Sequence, residues 1–151
     1  MTMNPFDLKS ALLAKHAQHV VLVHFPIALF ISSVAFDLLA LWKGSRSLAK
    51  AAYYNLIGAA ITALAALVTG VLAWQLQLEG ERLRGNLRLH LGLGASAAIL
   101  IWTLAWWRTR QERDDSSSLA IGYWAVSFIA VLVVALTGHL GGILSGVEVP
   151  N

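Results

Sequence analysis

Five histidines, His16, His19, His24, His90 and His139, are the side chains in this 151-residue sequence best suited to chemistry. Neutral imidazole nitrogens bind transition metals and haem iron. The sequence has no cysteine, which excludes disulfides, thiolate-held clusters and covalent c-type haem attachment. Haem b, held without thioethers, needs one or two imidazoles on its iron, and helix bundles build such sites in their cores. Copper, zinc or non-haem iron would take three or four. No serine or carboxylate stands beside the histidines in a way that suits hydrolysis.

The elements that must carry these histidines are apolar. Hydrophobic residues make up 58% of the chain and charged residues 13%, with a mean hydropathy of +0.67. A soluble domain carries about twice that charged share. Apart from Asp37, every Lys, Arg, Asp and Glu lies outside four apolar stretches, Val20–Trp42, Ala51–Trp74, Leu89–Trp107 and Leu119–Leu144. Each reaches or approaches the roughly 20 residues that a helix needs to cross a bilayer. The expected fold is therefore all-α: a single polytopic membrane domain over residues 1–151, with short connections that make an up-down-up-down four-helix bundle. Asn4, Pro5 and a loose stripe of Phe6, Leu8, Leu12 and Leu13 predict a short amphipathic helix before the first span. The segment 108–118, RTRQERDDSSS, reads as a solvated loop. A net charge of +3 and a pI of 9.6 need no nucleic acid to explain them.

In such a bundle the first and third spans start on one face, here called side A, and the second and fourth end there. His19, His24, His90 and His139 all fall on that side, and none falls on the opposite side B. At 1.5 Å per residue, His24 and His139 sit roughly 6–8 Å inside their helix ends. His19 and His24 differ by about 140° around a helix, so both cannot face one point. His16 precedes the span and reads as an ordinary interfacial side chain. Small residues flank the candidates: Gly92, Gly94, Ala95, Ser96 and Ala98 follow His90, while Gly138, Gly141 and Gly142 surround His139. They give room for a flat macrocycle. A stripe of Ala59, Ala63, Ala66 and Gly70 in the second span reads as close helix packing. Arg82, Arg84 and Arg88 are placed to pair with haem propionates at side A. Pro26 removes the donor for the carbonyl of Leu22 and should loosen the helix beside His24. Asp37, deeper toward B, is expected to anchor structure by reaching Lys43, Lys50, Tyr54 or Asn55. Six basic residues at B against five at A favour B as cytoplasmic, with both termini periplasmic.

These residues carry a resemblance. The chain resembles a bacterial family of small predicted membrane proteins, four helices long and of unknown function. The family opens on His, a few apolar residues and Val-His-Phe-Pro-Ile-Ala-Leu, then Phe-Asp-Leu-Leu; here these are residues 19–29, HVVLVHFPIAL, and 36–39, FDLL. Its third span opens on His, matched by His90, and its fourth ends His-x-Gly-Gly, matched by residues 139–142. Three departures stand out: Val20 replaces a frequent proline, Ala73 replaces a frequent Asp, and the tail after Gly142 lacks the usual Tyr and further His. Members are sometimes fused to Rieske iron–sulfur or c-type cytochrome domains. The resemblance therefore implies membrane redox work with such a partner, and with quinone.

The expectation that follows is a haem b electron carrier of the bacterial cytoplasmic membrane, a subunit or partner of a quinone-linked assembly rather than a stand-alone enzyme. Ligands are sought among His24, His90 and His139, with His19 as fourth candidate and with His24 able to pair with either of the others. The His missing after Gly142 favours one haem over two. Two alternatives stay open: a non-haem metal held by three or four imidazoles, and a structural or assembly subunit whose histidines bond between helices. A homo-oligomer or a larger complex fits any of them.

Overall fold

A computed structural model of the chain describes residues 15–77, 85–113 and 119–145, and the described residues contain helices and no strand. The helices are α1 (Lys15–Leu22), α2 (His24–Lys43), α3 (Arg46–Gln77), α4 (Gly85–Arg113) and α5 (Ile121–Leu144). The amphipathic helix expected at residues 4–13 lies outside the described residues.

Four helical segments are long and apolar enough to span a membrane: Gln18–Lys43, Arg46–Gln75, Gly85–Gln111 and Ile121–Leu144. Three begin or end beyond the apolar runs that predicted them. A basic residue bounding an apolar run need not end its helix, because its long stem can follow the bilayer while the charge reaches the interface.

The first span is two helices in register, α1 and α2, joined at Val23. Pro26 explains the joint: with no N–H it leaves the turn before it short of a hydrogen bond. The next ladder bond, from the Ile27 amide to the Val23 carbonyl, is stretched to 3.5 Å. Val23 itself stays helical at φ −63° and ψ −23°, so the chain loosens without turning back. At the far end Gly44 caps α2 at φ +62°, a left-handed conformation that favours glycine, and lets α3 start two residues later.

Alternate ends meet, as an up-down-up-down bundle requires. At side B the end of α2 touches the start of α3, the end of α4 and the start of α5 through side-chain bonds. At side A the first span, α3, α4 and α5 meet in the same way. The hairpins α2–α3 and α4–α5 pack most closely, α3 joins α4, and the seam between α2 and α5 is the least extensive. The core holds Phe30, Leu56, Ala59, Ala60, Ala97, Ile101, Leu104, Tyr123, Ala130 and Val134. Its alanines let backbones approach, as the sequence suggested for Ala59 and Ala63. Large apolar residues such as Ile31, Leu41, Ile61, Ile99 and Phe128 point outward, the face a bilayer would cover. Trp42 and Trp106 are exposed toward B beneath Lys43 and Arg110, whose charged groups lie 5.8 Å and 4.9 Å from the ring centres.

One part of the sequence reading is corrected at side B. Arg108 is not in a solvated loop, because α4 runs six residues past Trp107 to Arg113. Arg108 lies four residues after Leu104, which is itself buried on the inner face, so its side chain turns into the bundle. There its Nη2 lies 3.3 Å from Asp37 Oδ1 and donates to the Ala49 carbonyl, also at 3.3 Å. Tyr123 is buried, and its hydroxyl donates to Asp37 Oδ2 at 2.9 Å. Asp37 is 2% exposed. Asn55, offered as a partner for Asp37, instead donates to the Ala51 carbonyl of its own helix at 2.8 Å.

A buried hydrogen bond to a charged group contributes about 1.5–3 kcal/mol. Tyr123→Phe is therefore expected to lower stability by about that amount while keeping the helical content seen by circular dichroism. Denaturation in detergent measures it, and a midpoint equal to wild type would remove the phenol from the account.

Candidate functional site

At side A two imidazoles face each other across the bundle. The ring centres of His19 and His90 are 6.5 Å apart and their planes are 82° from parallel. Each ring is held by a neighbouring helix at Nδ1. His19 Nδ1 lies 3.1 Å from Thr69 Oγ1 on α3, and His90 Nδ1 lies 3.1 Å from the Thr137 carbonyl on α5. A carbonyl only accepts, so neutral His90 carries its hydrogen on Nδ1 and its lone pair on Nε2.

Backbone approaches both rings closely. A Cβ at Gly70 would lie 3.0 Å from Cε1 of His19, and one at Gly141 would lie 3.2 Å from Cε1 of His90. These glycines let α3 and α5 come against imidazoles that any larger residue would displace.

The remaining candidates are placed differently. His24 is exposed, and its Nδ1 lies 2.6 Å from the Val20 carbonyl one turn earlier in the same span. His139 is exposed too. The structure brings together His19 and His90, not His24 and His139, and the 140° offset between His19 and His24 is the reason that only one can face inward. Among the described residues no group of three or more His, Cys, Asp or Glu side chains gathers to hold a metal ion, so the arrangement of three or four imidazoles is not formed there. Gly141 packs on His90 rather than on His139, while a Cβ on Gly138 would meet nothing within 4 Å. Arg88 is exposed in the first turn of α4 at side A. Arg82 and Arg84 lie outside the described residues.

Thr69, Thr137 and Gly70 were missed as parts of the site. The signal for them was depth: each sits near the A end of its span, level with a histidine on the neighbouring helix.

The two glycines give a paired prediction. Gly141→Ala must push the His90 ring by a few tenths of an ångström, whereas Gly138→Ala fills open space and gains helix propensity of about 0.5–1 kcal/mol. In ¹⁵N-histidine spectra of the chain in micelles, Gly141→Ala is expected to shift the His90 ring signals and Gly138→Ala to leave them in place. Equal spectra for both variants would contradict the packing described here.

Four apolar helices enclosing a buried ion pair at one face and a histidine pair at the other define an all-α polytopic membrane protein, with lipid around it. A family model described as "Predicted membrane protein (DUF2231)" matches residues 15–148, and the chain belongs to that family. None of the curated proteins and none of the solved structures matches it.

Proposed function

We propose that this chain is a membrane haem b protein that transfers electrons, with His19 and His90 as the residues that would hold one haem. The observation that carries the reading is the spacing of the two rings. A metal–imidazole bond is about 2.0–2.1 Å, so two rings on opposite sides of one metal have centres about 6 Å apart. The observed 6.5 Å is close to that separation. Both Nδ1 atoms face protein oxygens, the supporting contact that metal-bound histidines usually make. Two ligands suffice for haem, whereas a non-haem ion would need a third.

Bound haem would supply one-electron chemistry. The chain's own contribution would be to keep the two imidazoles at a fixed separation and to surround them with apolar helix that limits water. Arg88, exposed in the first turn of α4 at side A, would be available to pair with a propionate, with Arg84 as a second candidate by sequence. The resemblance described above supports a quinone-linked assembly of the bacterial cytoplasmic membrane, with a Rieske or c-type cytochrome partner.

A second reading has its own support. The contacts His19–Thr69 and His90–Thr137 join different helices, as expected of histidines that only bind a bundle together. One spectrum separates the two. Purified chain loaded with haem in detergent is expected to give a Soret band and a reduced-minus-oxidised α band in the b-type region at one haem per chain. Folded chain that takes up no haem under these conditions would sink the first reading and leave the second.

A further inference from the structure

The hydroxyl of Thr69 lies 3.0 Å and 3.1 Å from the carbonyl oxygens of Ala65 and Ala66, in the turn before it. A threonine within a helix commonly gives its one proton to a carbonyl of the preceding turn, and both distances fit that bond. The same oxygen lies 3.1 Å from Nδ1 of His19. With that bond made, Thr69 can meet the imidazole only as an acceptor. Nδ1 of neutral His19 then carries the hydrogen and Nε2 the lone pair, the same tautomer that the Thr137 carbonyl imposes on His90. Gly70, the next residue, brings the backbone against Cε1 of the same ring, so the imidazole is bounded on one side while Thr69 sets its proton.

We propose that Thr69 is a positioning residue that locks His19 in the Nδ1–H tautomer and so makes Nε2 its coordinating nitrogen, matching His90. That the pair receives haem iron rests on the function proposed above; the lock itself does not.

The test uses the full chain with ¹⁵N-labelled histidine in micelles, free of haem, at a pH that keeps imidazole neutral. Ring nitrogen shifts distinguish the protonated from the lone-pair position, and the signals that vanish in His19→Ala assign the residue. Free histidine favours the Nε2–H form, so an Nδ1–H signal at His19 reports the lock. Wild type and Thr69→Ser are expected to show Nδ1–H, and Thr69→Val to show Nε2–H or a mixture. In haem titrations Thr69→Val is expected to bind about 10–100-fold more weakly than wild type, the usual effect of removing a ligand's supporting partner. An Nε2–H signal in wild type overturns the proposal, and that measurement stands even where Thr69→Val fails to fold. An unchanged Nδ1–H signal in folded Thr69→Val overturns it equally. The expected tautomers in a chain that never takes up haem would sink the haem reading while leaving the role of Thr69 in place.

Discussion

If His19 and His90 hold haem as proposed, His19→Ala is expected to abolish the b-type spectrum and His24→Ala to leave it intact, the largest contrast expected among single substitutions. The two residues belong to one span and lie five positions apart, yet only His19 faces His90. Removing a ligand outright should weaken haem binding by more than about 100-fold, beyond the loss caused by removing a supporting partner. His90→Ala should match His19→Ala, and His139→Ala should match His24→Ala. The measurement is the reduced-minus-oxidised spectrum at fixed protein and haem concentration. A wild-type α band in His19→Ala, or its disappearance in His24→Ala, would show that the ring pair is not the ligand pair.

The four spans were legible because charge is so strongly segregated, and the gathering of histidines on one face followed from counting spans. Which histidine faces inward is a matter of helix rotation, and hydropathy says little about rotation when a helix is apolar all round. The costly residue could have settled it. Asp37 must turn inward, and His19 lies eighteen positions before it, five whole helical turns or about 27 Å. His24, thirteen positions before Asp37, is about 140° away from that line. The buried residues of α2 trace the same stripe: Pro26, Phe30, Ser33 and Asp37.

The relation recurs in α4 and α5. Arg108 and His90 are eighteen apart, as are Tyr123 and Gly141. The first, third and fourth spans thus each contribute one residue to the ion-pair level and one, five turns away, to the histidine level. The rule was out of reach from sequence because Arg108 looked like the first residue of a loop. An arginine beside two tryptophans at a span's end ordinarily marks the interface. Only the partner on another helix reveals that it turns inward.

Arg108→Met is the second large effect. It leaves the Asp37 carboxylate buried without its arginine, with Tyr123 still donating to it, and breaking a buried pair by removing one member costs about 3–5 kcal/mol. The loss should appear as a lower denaturation midpoint in detergent or a much lower yield of folded protein. Asp37→Leu combined with Arg108→Met removes both charges, and such apolar replacements are often neutral or better. The double variant should therefore recover most of the stability lost by Arg108→Met. Equal stability of wild type and Arg108→Met would mean that the pair contributes nothing. A double variant no better than the single one would mean that arginine stabilises through its stem and its bond to the Ala49 carbonyl.

The ion pair also sets an order on biogenesis. Asp37 enters the bilayer with the first span, and its countercharge arrives only with the third. Until then the nascent chain holds an acid that is costly to keep within a span, so the first hairpin gains its full stabilisation when the second brings Arg108 to it. A ribosome that stalls between the hairpins leaves behind a fragment marked by a lone membrane-embedded carboxylate, the kind of defect by which quality-control proteases recognise an orphan.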